Sequence, residues 1–143
     1  MKKRTKTPKK RSAKKRNLGR YASSIEKYCA TQLKEHKISF DYEEHTFELM
    51  EKFNYPNKYF KMTPKRKDMA DRTGRVVLPI KYTPDFIGDG FIIECKGRAN
   101  ESFPMRWKLF KRFINRCYPH VTLYKPQNQK ECDQVIELII KNK

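Results

Sequence analysis

Apolar residues recur along this chain with two different periods, and the switches between them mark out the expected elements. Ile25, Cys29 and Leu33, with Tyr28 and Gln32 beside them, follow i, i+4, i+8 spacing, which predicts a helix over about 22–35. Ser23 or Ser24 is placed to cap it, and Glu26 falls in the first turn, where a carboxylate complements the helix dipole. Ile38-Ser39-Phe40-Asp41-Tyr42 alternates apolar and polar, as a strand with one buried face does. Residues 76–82 read as a strand that Pro79 interrupts, hence an edge or a bulge. Phe86-Ile87, the turn Gly88-Asp89-Gly90 and Phe91-Ile92-Ile93 form a hairpin signal. Trp107, Phe110, Ile114 and Cys117 mark the inner face of a helix that Pro119 closes, with Trp107 as a core anchor. A strand over 121–124 follows. Cys132, Val135, Ile136, Ile139 and Ile140 then line an amphipathic terminal helix. The expected fold class is α/β, a mixed β-sheet flanked by helices, in the order αβββαβα.

Two stretches show no such period. Residues 51–74 are rich in Lys, Pro and Asn and read as a long, mobile, partly basic insertion ending at the turn residues Thr73-Gly74. Residues 1–20 carry eleven Lys or Arg and no acid, which predicts a disordered basic arm ahead of one domain over 21–143. The whole chain of 143 residues has a formal charge of +18; outside the arm, 23 basic residues face 16 acidic ones, leaving +7. Such an excess favours polyanionic partners, because neutralising phosphates releases condensed counterions.

No apolar run approaches the ~20 residues that span a bilayer, and no apolar segment follows the charged N-terminus as in a secretory signal. The expectation is an intracellular protein, neither secreted nor membrane-bound. Cys29, Cys95, Cys117 and Cys132 are widely spaced and include no C-x-x-C pair, which favours reduced, mostly buried thiols over a zinc site with His36, His45 or His120.

The chemistry concentrates in Tyr82-Thr83-Pro84-Asp85-Phe86 and Glu94-Cys95-Lys96-Gly97. Two residues apart on a strand, Glu94 and Lys96 point from one face roughly 6–7 Å apart. Asp85 ends the preceding strand, which the glycine turn folds back alongside, so Asp85 and Glu94 can converge on one cation. Mg²⁺ suits oxygen donors of this kind and commonly takes one or two carboxylates plus substrate phosphate oxygens, with Mn²⁺ as a plausible substitute. The backbone carbonyl of Cys95 offers a further oxygen. A divalent ion lowers the pKa of a water, and the Lys96 amine can orient the nucleophile or stabilise charge on phosphorus. A Glu-x-Lys pair alone is common on exposed strands, and Asp85 after Pro84 also suits a plain turn. The apolar run Phe91-Ile92-Ile93 favours a site, since a buried carboxylate and ammonium are costly without a role.

Asp85, Glu94 and Lys96, with Pro84, match the PD-(D/E)xK nuclease signature. Together with Ser24-Ile25-Glu26-Lys27, Gln32-Leu33, the run 38–44 ending in Glu43-Glu44, and Tyr82-Thr83-Pro84-Asp85-Phe86, they make the chain resemble the phage endonuclease I family of Holliday-junction resolvases over about residues 20–125. The resemblance implies a restriction-endonuclease-like core and Glu26 joining Asp85 and Glu94 around one or two metal ions, with Lys96 beside them. It also implies an intertwined homodimer acting on branched duplex DNA in recombination, in the cytoplasm of a bacterial host if the gene is a phage's. The segment between Glu44 and Tyr82 is longer than in those resolvases, and the basic arm is heavier. A nicking, restriction-like or transposase-associated nuclease is therefore an alternative within the class, and a noncatalytic basic nucleic-acid-binding protein is the alternative outside it. Backbone contacts to DNA are expected from Lys65, Arg66 and Lys67 in the insertion, from Arg98, and from Lys108, Lys111 and Arg112 on the second helix.

Overall fold

A computed structural model describes residues 17–65, 67–98 and 100–143. The expected basic arm therefore lies, apart from its last four residues, outside the described residues, as does Arg66. Along the chain run α1 (Ser24–Glu35), β1 (Phe40–Tyr42), β2 (Phe47–Met50), β3 (Phe53–Asn54), β4 (Phe60–Met62), β5 (Met69–Asp71), β6 (Val76–Val77), β7 (Ile80–Tyr82), β8 (Phe86–Gly88), β9 (Phe91–Ile93), α2 (Phe103–Cys117), β10 (Thr122–Tyr124) and α3 (Gln129–Lys141). The architecture is mixed α/β.

The central sheet has four strands in the order β1-β8-β9-β10, with β1, β8 and β9 antiparallel and β10 parallel to β9. Its two faces bury different helices. Phe86, Phe91 and Ile93 pack with Cys29, Leu33, Val135 and Ile136 of α1 and α3, while Ile92 packs with Phe110 and Ile114 of α2. Because successive strand residues point to opposite faces, a strand covered on both sides reads as an unbroken apolar run, and that is what Phe91-Ile92-Ile93 is. The turn before it needs Gly90, whose φ is +76°. Gly88, cross-strand from Phe91, leaves room for that ring: a Cβ there would fall 2.1 Å from Phe91 Cζ.

The helices begin where local chemistry lets them. Ser23 caps α1 through its hydroxyl, which accepts from Glu26 N at 3.2 Å, and Asn128 caps α3 by accepting from Glu131 N at 2.9 Å. Pro104 stands in the first turn of α2, where its missing N–H is no loss. Two expected core positions fall outside the core. Ile140 is exposed, because Cys132, Val135, Ile136 and Ile139 fill the i, i+3, i+4, i+7 stripe and Ile140 lies a further 100° around. Cys117 is exposed at the last residue of α2, past the sheet it packs on.

Residues 51–74 are not an unstructured insertion, and the order αβββαβα misses what they form. β2 pairs with β7, β3 with β6 and β4 with β5, all antiparallel and nested, so residues 47–82 make one two-stranded ribbon. Gly74 does not end it; its N–H donates to Tyr55 O within the ribbon. Pro79 lies between β6 and β7, at the expected break. The ladders are two to four residues long and mostly exposed on both faces, so main-chain hydrogen bonds define them and no alternation marks them in the sequence.

Candidate active site

Three carboxylates from three elements are buried together. Glu26, Asp85 and Glu94 retain only 7%, 7% and 8% of their surface. Glu26 sits in the first turn of α1, where its Oε1 accepts from Ser23 Oγ at 2.8 Å and its Oε2 from Tyr42 Oη at 2.5 Å. Tyr42 ends β1 and its hydroxyl also accepts from Ala22 N, so one phenol ties the start of α1 to the sheet edge.

Asp85 arrives by a different route. The ribbon returns through Tyr82-Thr83-Pro84, with Pro84 fully buried, and Asp85 stands just before β8. Its Oδ2 accepts from Cys95 N at 2.8 Å, and its main-chain N–H donates to Glu94 Oε2 at 3.3 Å. Beyond β9 the pairing with the β10 side continues: Glu94 N donates to Tyr124 O and Lys96 N to Pro126 O. Alternation along this extended stretch sends Glu94 and Lys96 to the α2 face and Cys95 to the α1–α3 face. Lys96 Nζ accordingly lies 4.9 Å from the centroid of Phe103, the first residue of α2. Among the described residues Lys96 makes no ion pair, although its charge holds the Glu94 pKa down. Gly97 lets α1 approach, since a Cβ there would meet Ile25 Cδ1 at 3.1 Å.

Electrostatically this is a strained arrangement. Burial first, then the charges of Glu94 and Glu26, push Asp85 up to about 8. Burial pushes Glu94 up to about 7, against the opposing influence of Tyr82, the Asp85 N–H and Lys96. The Tyr82 hydroxyl is close enough to Glu94 to favour its anion, yet it is buried and among the described residues completes no hydrogen bond. Burial, with the Glu94 charge beside it, raises the Tyr82 phenol.

These residues fit a hard divalent cation. Carboxylate oxygens of Glu26, Glu43 and Asp85 lie within 4.8 Å of one another, Asp85 and Glu94 each keep an oxygen free of the hydrogen bonds above, and all are oxygen donors. A cation would offset the burial, and the repulsion behind it, that raise both pKa values. The Cys95 carbonyl, the further oxygen expected of the sequence, belongs to the peptide stretch whose N–H already meets Asp85.

Glu43 is the residue that sequence reading missed. It follows β1 with a φ of +49°, a left-handed conformation uncommon outside glycine, and its N–H donates to Asp85 O. The twin acids Glu43-Glu44 were its only signal, and nothing in them tells which one turns inward. Arg106 was missed as well: its guanidinium donates to Lys81 O at 3.0 Å and lies 5.4 Å from the Tyr82 ring centroid, clamping α2 to the ribbon's root.

Cys95 joins Cys29 and Cys132 in a buried group of three free thiols with sulfurs within 4.8 Å. Hydrogen bonding to Cys132 first, with burial behind it, raises Cys29 and Cys95, while the hydrogen bonds of those two thiols lower Cys132.

The expected DNA-binding residues do not gather at the carboxylates. Arg98, Lys108, Lys111 and Arg112 are exposed, and Arg112 shares a hollow with Glu48 and Glu51. Lys65 and Lys67 are exposed at the far end of the ribbon. A hollow of about 680 Å³ lies at the opposite end of β9, around Asp89, His120 and Tyr124, and contains none of the buried carboxylates. Among the described residues no helix is long and apolar enough to cross a membrane. No protein-family model, no curated protein and no solved structure matches this chain.

Proposed function

We propose that this protein is a metal-dependent DNA endonuclease of the PD-(D/E)xK type. The observation that carries the reading is the burial of Glu26, Asp85 and Glu94, from three separate elements, at one point with Lys96 beside them. Buried like charges are costly and persist where they have work to do. Glu26, Asp85 and Glu94, with Glu43 at the solvent side, would hold one or two Mg²⁺ ions, or Mn²⁺ in their place. A bound divalent ion supplies a water of lowered pKa and neutralises charge on the phosphate.

The chain's own groups do the rest. Ser23 and Tyr42 fix both oxygens of Glu26, so the carboxylate is oriented before any ligand arrives. The Cys95 N–H fixes Asp85 in the same way. Lys96 is held on the Phe103 face, next to Glu94, where its ammonium can orient the attacking water or stabilise developing charge on phosphorus. The excess of Lys and Arg draws the polyanion to the surface. The finer assignment, resolution of branched DNA by a homodimer, is supported by the resemblance to the phage endonuclease I family in Tyr82-Thr83-Pro84-Asp85-Phe86 and Glu94-Cys95-Lys96-Gly97.

The test is incubation of purified protein with a synthetic four-way junction and with linear duplex, in Mg²⁺ or EDTA. Cleavage should require Mg²⁺ and disappear in Asp85→Ala and Lys96→Ala. Cleavage that survives both substitutions refutes the site. Equal cleavage of junction and duplex refutes the junction assignment alone. Tight binding with no cleavage under any metal leaves a noncatalytic nucleic-acid-binding protein.

A further inference from the structure

The ribbon is an unusual surface. A two-stranded ribbon is at best marginally stable by itself, yet this one exposes Phe53, Tyr55, Tyr59, Phe60, Met62 and Met69 at 37–57%. A partner is implied, and charge selects its kind. Between positions 47 and 82, nine Lys or Arg face four Asp or Glu. Such an excess of positive charge attracts a polyanion.

Cross-strand register sorts the outer ribbon into two faces. Lys61 pairs with Ala70, and Arg72 N donates to Tyr59 O, which puts Tyr59, Lys61 and Arg72 on one side. Tyr55 joins them, its ring edge-on to Tyr59 at 6.2 Å, and Arg75 is bonded through its carbonyl to Tyr55 N. Phe60, Met62 and Met69 take the other side.

The cationic groups on the first side are available. Arg72 and Arg75 line a groove of about 510 Å³ with Lys65, Asp68 and Asp71. Both acids are already engaged: Asp71 accepts from Thr73 N and Asp68 from Thr63 Oγ1. Among the described residues Arg72 Nε is buried with no acceptor.

Exposed tyrosines beside guanidinium groups that make no ion pair among the described residues are the equipment for single-stranded nucleic acid, in which bases stack on aromatic faces and phosphates meet cations. Bases inside a duplex present no face to stack on. The ribbon's root is pinned by the Thr46–Thr83 hydroxyl contact at 2.7 Å, two residues from Asp85, and Arg75 stands farther out along the same strand by roughly 26 Å at ~3.3 Å per residue, a span that one bound nucleic-acid strand can cover. We propose that the Tyr55–Tyr59–Lys61–Arg72–Arg75 face binds unpaired nucleotides, and that the DNA cut at the carboxylate site carries a single-stranded segment beside its duplex. The DNA half of this rests on the nuclease reading.

The test is fluorescence anisotropy of the full-length protein in EDTA, so that nothing is cut, against a blunt duplex and the same duplex bearing a single-stranded flap. Wild type should prefer the flap. Tyr55→Ala with Tyr59→Ala should lose about tenfold or more of flap affinity, the scale of one or two lost base–aromatic stacks, while blunt-duplex binding stays within about twofold. Tyr55→Phe with Tyr59→Phe, which keeps the rings, should restore it. Arg72→Gln with Arg75→Gln should flatten the salt dependence of log K by about 1–2. Equal loss on both DNAs, or loss on neither, overturns the proposal. So does a fall from dimer to monomer in sedimentation of the tyrosine variant with DNA binding intact, which would make the ribbon a subunit interface. If flap preference follows the tyrosines but no metal supports cleavage, the docking surface stands and the nuclease reading fails; the reverse pattern leaves the nuclease and removes the ribbon.

Discussion

The central sheet and the ribbon invert each other's rules of burial. Beside the central sheet three carboxylates, Glu26, Asp85 and Glu94, are buried, while in the ribbon aromatic and methionine side chains stand about half exposed. Each inversion costs stability in the free protein, and each would be relieved by a ligand of matching chemistry: a divalent cation for the carboxylates and, on our proposal, stacked bases and phosphates for the ribbon. The energetic difference is that the carboxylates rest on a close-packed core and the ribbon does not. Orientation of the carboxylates is therefore built in, whereas the ribbon's surface would be completed by a bound partner.

The largest expected effect breaks the first half of this contrast. Removing one preorganised polar group from an active site commonly costs about 10²–10³ in kcat. Asp85→Asn, which keeps the side-chain shape and removes the charge, should lower Mg²⁺-dependent cleavage by at least that, measured in single-turnover gel assays. Glu43→Gln should cost less, because Glu43 is exposed where Asp85 is buried.

Stability should separate the two regions next. Phe86 is fully buried between β1 and α1, so Phe86→Ala should cost about 3–5 kcal/mol in urea unfolding. Phe60→Ala in the ribbon, at 48% exposure, should stay within about 0.5 kcal/mol. Comparable losses would mean that the ribbon belongs to the core.

A smaller effect is the pH dependence of metal-free stability. Asp85 and Glu94 are raised from ordinary values of 3.8 and 4.5 to about 8 and 7. Raised acids favour the protonated folded state, so this contribution is complete below about pH 4 and is lost as pH rises through 7 to 8. The thermal midpoint in EDTA should fall over that range, and Asp85→Asn should flatten the fall.

Much of this was legible in the sequence, unevenly. The three helices and the strands of the central sheet were legible because each buries a face and so carries a period: Cys29 and Leu33 on α1, Phe110 and Ile114 on α2, Val135 and Ile139 on α3. Asp85, Glu94 and Lys96 were legible because they lie nine and two residues apart, flanking the two strands of one hairpin. The ribbon was not, since strands that bury neither face leave no alternation to read. Glu43 depends on one left-handed backbone angle, and the meeting of Cys29, Cys95 and Cys132 across a hundred residues depends on packing that no local pattern encodes. Glu26 lay between these cases: a first-turn carboxylate serves a helix dipole whether or not the fold turns it inward.

The most direct measurement is thermal unfolding at pH 8 of wild type and Asp85→Asn, each in EDTA and in excess Mn²⁺. A ligand at about 100 times its Kd stabilises the folded state by ~2.7 kcal/mol, a shift of several degrees for a domain of this size. If the buried carboxylates are a cation site, wild type gains those degrees with Mn²⁺, and Asp85→Asn melts higher than wild type in EDTA and hardly responds to the metal. Equal Mn²⁺ shifts in both proteins, or none in wild type, would contradict it.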